Sequence, residues 1–264
     1  MTAIGIDSGS LTTKVVVLEG RTILVTALTA SGDDAETAAR ETVAKALADA
    51  GRQNENHIPI VSTGISGKYL SISHQQKAVT TCLARGISLL FPSVRMVIDI
   101  GAETSTVVKL NERGRVTDWA NQDKCAAGTG LFLQQMSRLM QVSFEDMSAL
   151  SLQAKTKADI TSTCAVFAES EVISHIHRDP PTPKPDIIAG IYSSVISRLM
   201  AMCKRVGIER DIAVTGGVAL NRGLVAMLEK ELKCNVLVPD KPEFTAALGA
   251  AIIARENAER GSLR

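Results

Sequence analysis

Aromatic residues are scarce: one Trp, two Tyr and five Phe in 264 residues. The core must therefore be built from Val, Ile, Leu, Ala and Met. Proteins that stack nucleic-acid bases use more aromatic surface than this. An excess of either charge is also missing, since 29 basic residues face 28 acidic ones. That balance excludes the electrostatic footprint of a polyanion-binding or membrane-surface protein. No apolar run approaches the roughly 18 residues of a membrane span. The opening MTAIGIDSGS lacks the basic region of a secretory signal. The expectation is a cytoplasmic protein with no nucleic-acid or membrane partner. Five cysteines, odd in number and widely spaced, exclude a disulfide framework. Core filler, nucleophile and metal ligand remain open to them.

The chain repeats itself. IDSGSLTTKVVVL at 6–18 aligns with IDIGAETSTVVKL at 98–110, so that Asp7, Gly9 and Thr12 recur as Asp99, Gly101 and Thr104. Val15, Val16 and Leu18 recur as Val107, Val108 and Leu110. Each copy reads as strand, polar turn, strand. Two copies of one hairpin predict two similar halves rather than a solenoid, and 264 residues are comfortable for two domains. Helices are predicted over 34–51, 75–90, 128–141, 165–177 and 187–206, with a further small-residue helix in TAALGAAIIAREN. Strands are predicted at 58–64, in RMVIDIG, in DIAVTGG and in CNVLVP. Strands alternating with helices give an α/β class. Pro92 is placed at the crossing. The expected division is a first half over 1–92, with the C-terminal helix 246–264 packing back on it, and a second half over 93–245.

Each hairpin turn has the composition of a phosphate site. Gly9 lets a ligand approach the backbone, Ser8, Ser10 and Thr12 bring hydroxyls, and Lys14 brings a cation. Asp7, at a strand end, can hold Mg²⁺ directly or through water. The second copy supplies Asp99, Gly101, Ala102 and Glu103. VTGGVALN adds a glycine turn between a buried strand and a helix, with Gly216, Gly217, Val218 and Asn221 as candidate adenosine contacts. It is neither a Walker A loop nor GxGxxG. The order of turns resembles the superfamily of actin, Hsp70 and sugar kinases, in which two ribonuclease-H-like halves close over ATP.

Cys125 precedes AAGTG and Cys164 precedes AVFAESE, both where a helix is expected to start. There a thiolate or an anionic cluster gains from free N–H groups and the helix dipole. Spacing alone favours structural thiols. Two thiols are half of what a [4Fe–4S] cluster needs, and a two-fold dimer would supply four. Cys82, Cys203 and Cys234 read as core, and His175 and His177 as surface residues.

The motifs NQDKCAAGTGLFL, TSTCAVFAESEVIS, DIIAGI and TGGVALN together resemble the activators of 2-hydroxyacyl-CoA dehydratases and the ATPase subunits of benzoyl-CoA reductases, over residues 4 to about 254. The resemblance implies an ATPase that drives low-potential electron transfer to a CoA-thioester dehydratase or reductase. It implies one [4Fe–4S] cluster per dimer, held by Cys125 and Cys164 of a homodimer or related heterodimer. It also implies ATP/ADP, Mg²⁺ and a low-potential donor such as ferredoxin or flavodoxin. Catalytic roles fall on Asp7, Asp99 and Glu103, and cofactor contacts extend to Gly128, Thr129 and Gly130. Such activators typically read DIGGQD where this chain has DIGAET at 99–104, a change that bears on hydrolysis rate and partner. Outside the family, a small-molecule kinase of the same superfamily or a nucleotide-binding regulator without turnover would share the phosphate turns.

Overall fold

The computed structural model describes residues 1–55, 57–122, 129–161 and 164–261. The chain forms two compact units. One comprises Met1–Arg95, Leu110–Thr117 and Pro239–Arg264, and the other Met96–Lys109 and Asp118–Val238.

The first unit is built on a sheet of β1 (Thr2–Ser8), β2 (Thr12–Glu19), β3 (Thr22–Ala30), β4 (Ile60–Thr63) and β5 (Gln75–Gln76), ordered β3-β2-β1-β4-β5. β1–β2 and β2–β3 are antiparallel hairpin pairs, while β4 lies parallel to β1 and β5 parallel to β4. Both faces are covered. α1 (Ala35–Asp49) lies on one, where Ala39, Val43 and Ala46 join Ile4, Ile6, Val15 and Val17. Its start is fixed by Asp34, whose carboxylate accepts from the amides of Glu36 and Thr37. On the other face, α8 (Thr245–Glu259) packs onto the sheet, where Val16 and Leu18 meet Ala247, Leu248 and Ala251, and α2 (Val79–Leu90) packs against α8. The small residues of α8 have a steric cause. A Cβ on Gly249 would stand 1.7 Å from the Cys82 carbonyl, and one on Gly5 1.9 Å from the Ala247 carbonyl.

The second unit repeats the plan. β6 (Met96–Ile100), β7 (Ser105–Leu110), β8 (Val116–Gln122), β9 (Ile212–Thr215) and β10 (Val236–Leu237) are ordered β10-β9-β6-β7-β8. β6–β7 is antiparallel, and β9 lies parallel to β6 and to β10. Around this sheet run α3 (Gly130–Met140), α4 (Phe144–Ser151), α5 (Ala165–His177), α6 (Lys184–Val206) and α7 (Arg222–Leu232). α6 forms the spine of the core through Ile188, Ile191, Tyr192, Val195, Leu199 and Cys203. Among the described residues it is, at 23 residues, the helix long and apolar enough to span a membrane. Its apolarity is that of a core helix, because 72% of its apolar window is buried inside the protein.

Two boundaries and one element depart from expectation by three residues or more, for identifiable reasons. The predicted helix over 75–90 begins only at Val79, because Gln75 and Gln76 pair with β4 and extend the sheet. α6 starts at Lys184, three residues before the predicted start, with a proline in its first turn. α4 went unpredicted, although Ser143 caps it: Asp146 N donates to Ser143 Oγ at 3.0 Å, and that hydroxyl in turn donates to the Asp146 carboxylate at 2.7 Å.

Candidate functional site

The two hairpin turns have one geometry. In the first, the Gly9 amide donates to the Thr12 carbonyl at 3.1 Å; in the second, the Gly101 amide donates to the Thr104 carbonyl at 2.9 Å. The acids sit at matching strand ends, Asp7 paired with Lys14 and Asp99 with Thr106. In each unit the parallel neighbour strand ends beside the acid in Thr-Gly: Thr63-Gly64 next to Asp7, and Thr215-Gly216 next to Asp99. Both glycines have φ near +90°, at +88° and +85°. A Cβ on Gly64 would lie 2.4 Å from the Ser8 carbonyl, and one on Gly216 2.3 Å from the Ile100 carbonyl. Only glycine allows the neighbouring chain to close so tightly around the acid-bearing strand.

The first turn is braced from outside. Ser31 Oγ donates to the Gly9 carbonyl at 2.7 Å and accepts from Thr13 Oγ1 at 2.9 Å. Lys14 Nζ stands 3.4 Å from Asp7 Oδ2 and donates to the Thr12 carbonyl at 3.2 Å, with both charged side chains only 15% exposed. The cation therefore rests on the acid. Ser8 Oγ is fully buried and has no hydrogen-bond partner among the described residues, a rare condition for a buried hydroxyl. Ser10 and Thr12 are half-buried at the turn.

In the second unit, Thr215 Oγ1 donates to Asp99 Oδ1 at 2.7 Å. Ala102 is half-buried and Glu103 exposed at the turn. The turn carbonyls also start α3: Gly101 O accepts from the Gly130 amide and Ala102 O from the Leu131 amide, both at 2.9 Å. The amide of Gly130, a candidate cofactor contact, thereby ties the helix to the turn. Thr129, the residue before the helix, is fully buried.

The glycine turn after β9 divides its candidates. Gly217 is exposed, and a Cβ there would meet nothing within 4 Å. Val218 is 3% exposed and packs in the core, against Gly130. Asn221 is 2% exposed. Its Oδ1 caps α7 at Leu224 N, 3.0 Å away, and its Nδ2 donates to Tyr192 OH at 2.7 Å. The side chains of Val218 and Asn221, both candidate adenosine contacts, face inward and hold the turn in place, so what the turn offers outward at these positions is backbone.

Cys164 is the N-terminal flanking residue of α5, half-buried, with its thiol making no helix-capping hydrogen bond. Cys125 and Gly128 lie outside the described residues. Cys82 and Cys203 are fully buried, and burial pushes each thiol up to about 12. They are core residues, as expected from the sequence, and poor ligands or nucleophiles. Cys234 is half-buried against the same core as Cys203. His175 is tied to Thr182 Oγ1 at 2.9 Å and to the Asp159 carbonyl at 3.3 Å, and His177 is exposed. Among the described residues no three His, Cys, Asp or Glu side chains converge as a metal site.

Sequence reasoning missed Thr63, Gly64, Thr215 and Ser31. The first three had a signal: VSTG at 61–64 and AVTG at 213–216 end equivalent strands, so the repeat extends beyond the hairpins. Ser31 had none, since it reaches the turn only through the fold.

Residues 4–254 match the BadF/BadG/BcrA/BcrD ATPase family. The (R)-2-hydroxyglutaryl-CoA dehydratase activating ATPase of Acidaminococcus fermentans is 38% identical over 259 residues, 97% of this chain and 98% of that protein. The structure of the activator of the 2-hydroxyisocaproyl-CoA dehydratase from Clostridium difficile with bound ADPNP superposes at a TM-score of 0.92 and 36% identity, covering 99% of this chain and 97% of that one. A ROK family glucokinase from Streptomyces griseus superposes at a TM-score of 0.56 and 12% identity, covering 97% of this chain and 100% of its own, and shares the fold alone. The fold is that of the actin, Hsp70 and sugar-kinase superfamily, α/β with two related halves.

Proposed function

Because this chain belongs to the BadF/BadG/BcrA/BcrD ATPase family, we propose that it is an ATP-hydrolysing activator that delivers low-potential electrons to a CoA-thioester dehydratase or reductase. The observation that carries the reading is the duplicated turn. An acid at a strand end, a glycine turn and a flanking Thr-Gly occur once in each unit. In this reading each unit offers one carboxylate, Asp7 or Asp99, to Mg²⁺ or its waters. Ser10, Thr12 and the turn amides take phosphate oxygens. Lys14 leaves Asp7 for the phosphate, an exchange of one anionic partner for another. The orphan hydroxyl of Ser8 supports a ligand at this turn. Gly217 presents open backbone to the adenosine, and Val218 and Asn221 fix that backbone from beneath.

Cys164 fits a cluster ligand: its thiol is half-exposed at a helix N-terminus, unlike the buried thiols of Cys82 and Cys203. With Cys125 it would hold half of a [4Fe–4S] cluster, which when bound supplies one-electron transfer at low potential. A second subunit, identical or related, brings the other two thiols. The neighbouring face of α5 suits such a partner, because Val166 and Phe167 stand 67% and 63% exposed beside Cys164.

Anaerobic purification with iron, sulfide and ATP turnover measured per dimer tests the proposal. The expected result is four irons per dimer. Cys164→Ser should lose the iron and keep ADP binding, and Asp7→Ala should keep the iron and lose at least about 100-fold in ATP turnover. Full iron content in Cys164→Ser, or normal turnover in Asp7→Ala, would remove the respective assignment.

A further inference from the structure

We propose that Thr215 is a positioning residue for Asp99, holding the carboxylate in the orientation that nucleotide turnover requires. The inference rests on the reading of Asp99 given above. Thr215 pairs with Asp99 across the parallel strands β6 and β9, and its hydroxyl reaches Asp99 Oδ1 at 2.7 Å, joining residues 116 apart in the chain. That length is well within hydrogen-bond range for an O–H donor. Thr215 is fully buried, and the rest of β9 is Ile212, Ala213 and Val214. A valine would fill the same volume there. The hydroxyl is the one departure from an apolar strand, and burying it is unfavourable unless it is bonded.

The duplicate supplies an internal control. Thr63 holds the same register against Asp7, yet its hydroxyl donates to the Lys77 carbonyl at 2.9 Å. Asp7 is held instead by Lys14, from the paired position on β2. The position corresponding to Lys14 is Thr106, whose hydroxyl donates to Asn121 Oδ1 at 3.0 Å. A threonine in this register therefore does not bond the acid by default. The two acids thus meet different neighbours, the Lys14 cation at Asp7 and the buried Thr215 hydroxyl at Asp99.

Three variants test the inference in the full-length protein: Thr215→Val, Thr215→Ser and Asp99→Asn. ADP affinity, ATP turnover and thermal unfolding are measured for each. Thr215→Val should lower turnover about 10- to 100-fold, the scale of a misplaced catalytic group, with ADP affinity within about twofold of wild type. Thr215→Ser, which keeps the hydroxyl, should recover most of the turnover. A purely structural role would lower the unfolding temperature of Thr215→Val without separating turnover from affinity. Wild-type turnover in Thr215→Val, or an equal loss in Thr215→Ser, would overturn the positioning role while an impaired Asp99→Asn leaves the function of Asp99 standing. Wild-type turnover in Asp99→Asn would overturn both.

Discussion

Asp186 shows how much one buried carboxylate can organise. It accepts from the amides of Lys155 and Thr156 at 2.8 and 3.1 Å and from the Thr156 hydroxyl at 2.9 Å. The Thr156 amide is the chief cause holding its carboxyl below the usual 3.8. A group with a depressed folded pKa contributes stability that is present above its unfolded value and lost as pH falls through the folded one. Asp186→Asn should therefore lower the urea midpoint at pH 7, and the gap from wild type should narrow below about pH 4. An undiminished gap at pH 3 would contradict the charge-based account. At this scale the sequence was informative where chemistry is local. Asp7 and Asp99 were legible because a repeated Asp-x-Gly needs no tertiary knowledge. Thr215 was marked only by the repeated Thr-Gly, which does not say that its hydroxyl meets a carboxylate, and Ser31 was unmarked, because a serine after a strand is ordinary until the fold places a turn carbonyl beside it. Val218 and Asn221 show the opposite limit: the motif names them, and the fold buries their side chains. A motif assigns residues to a turn, and burial decides which of them face inward.

Helices and strands were legible where their periodicity was long. α1 and α5 fall close to where they were expected, and each buries one face; α8, buried on every side from Thr245 to Ala254, was marked by its small residues instead. Short elements were lost to context: β5 consists of two glutamines held in the sheet by pairing with β4 alone. The close approach of α8 to α2 makes a sharper test of packing. With Gly249 facing the Cys82 carbonyl, even one methyl group must push the helices apart. Gly249→Ala should destabilise the protein by about 1–3 kcal/mol, read as a lower thermal midpoint. An unchanged midpoint would mean that the helices can separate at no cost.

For the whole molecule, nucleotide binding and stability are linked. A ligand that binds only the folded state stabilises it by about 2.7 kcal/mol at a hundredfold excess over its Kd. Mg-ADP should accordingly raise the unfolding temperature in a concentration-dependent way, and calorimetry showing no shift would argue against a nucleotide site. The two-part plan was legible from the duplicated hairpin, but the segment Leu110–Thr117, which clusters with the first unit, interrupts the simple split at Pro92. The return of α8 carries a further consequence. It covers Val16 and Leu18 and packs on β1, yet a ribosome makes it only after every residue of the second unit. The earliest strands must wait with one greasy side bare through most of translation, so the domain begun first is completed second. During synthesis, that uncovered sheet is the surface a chaperone would find.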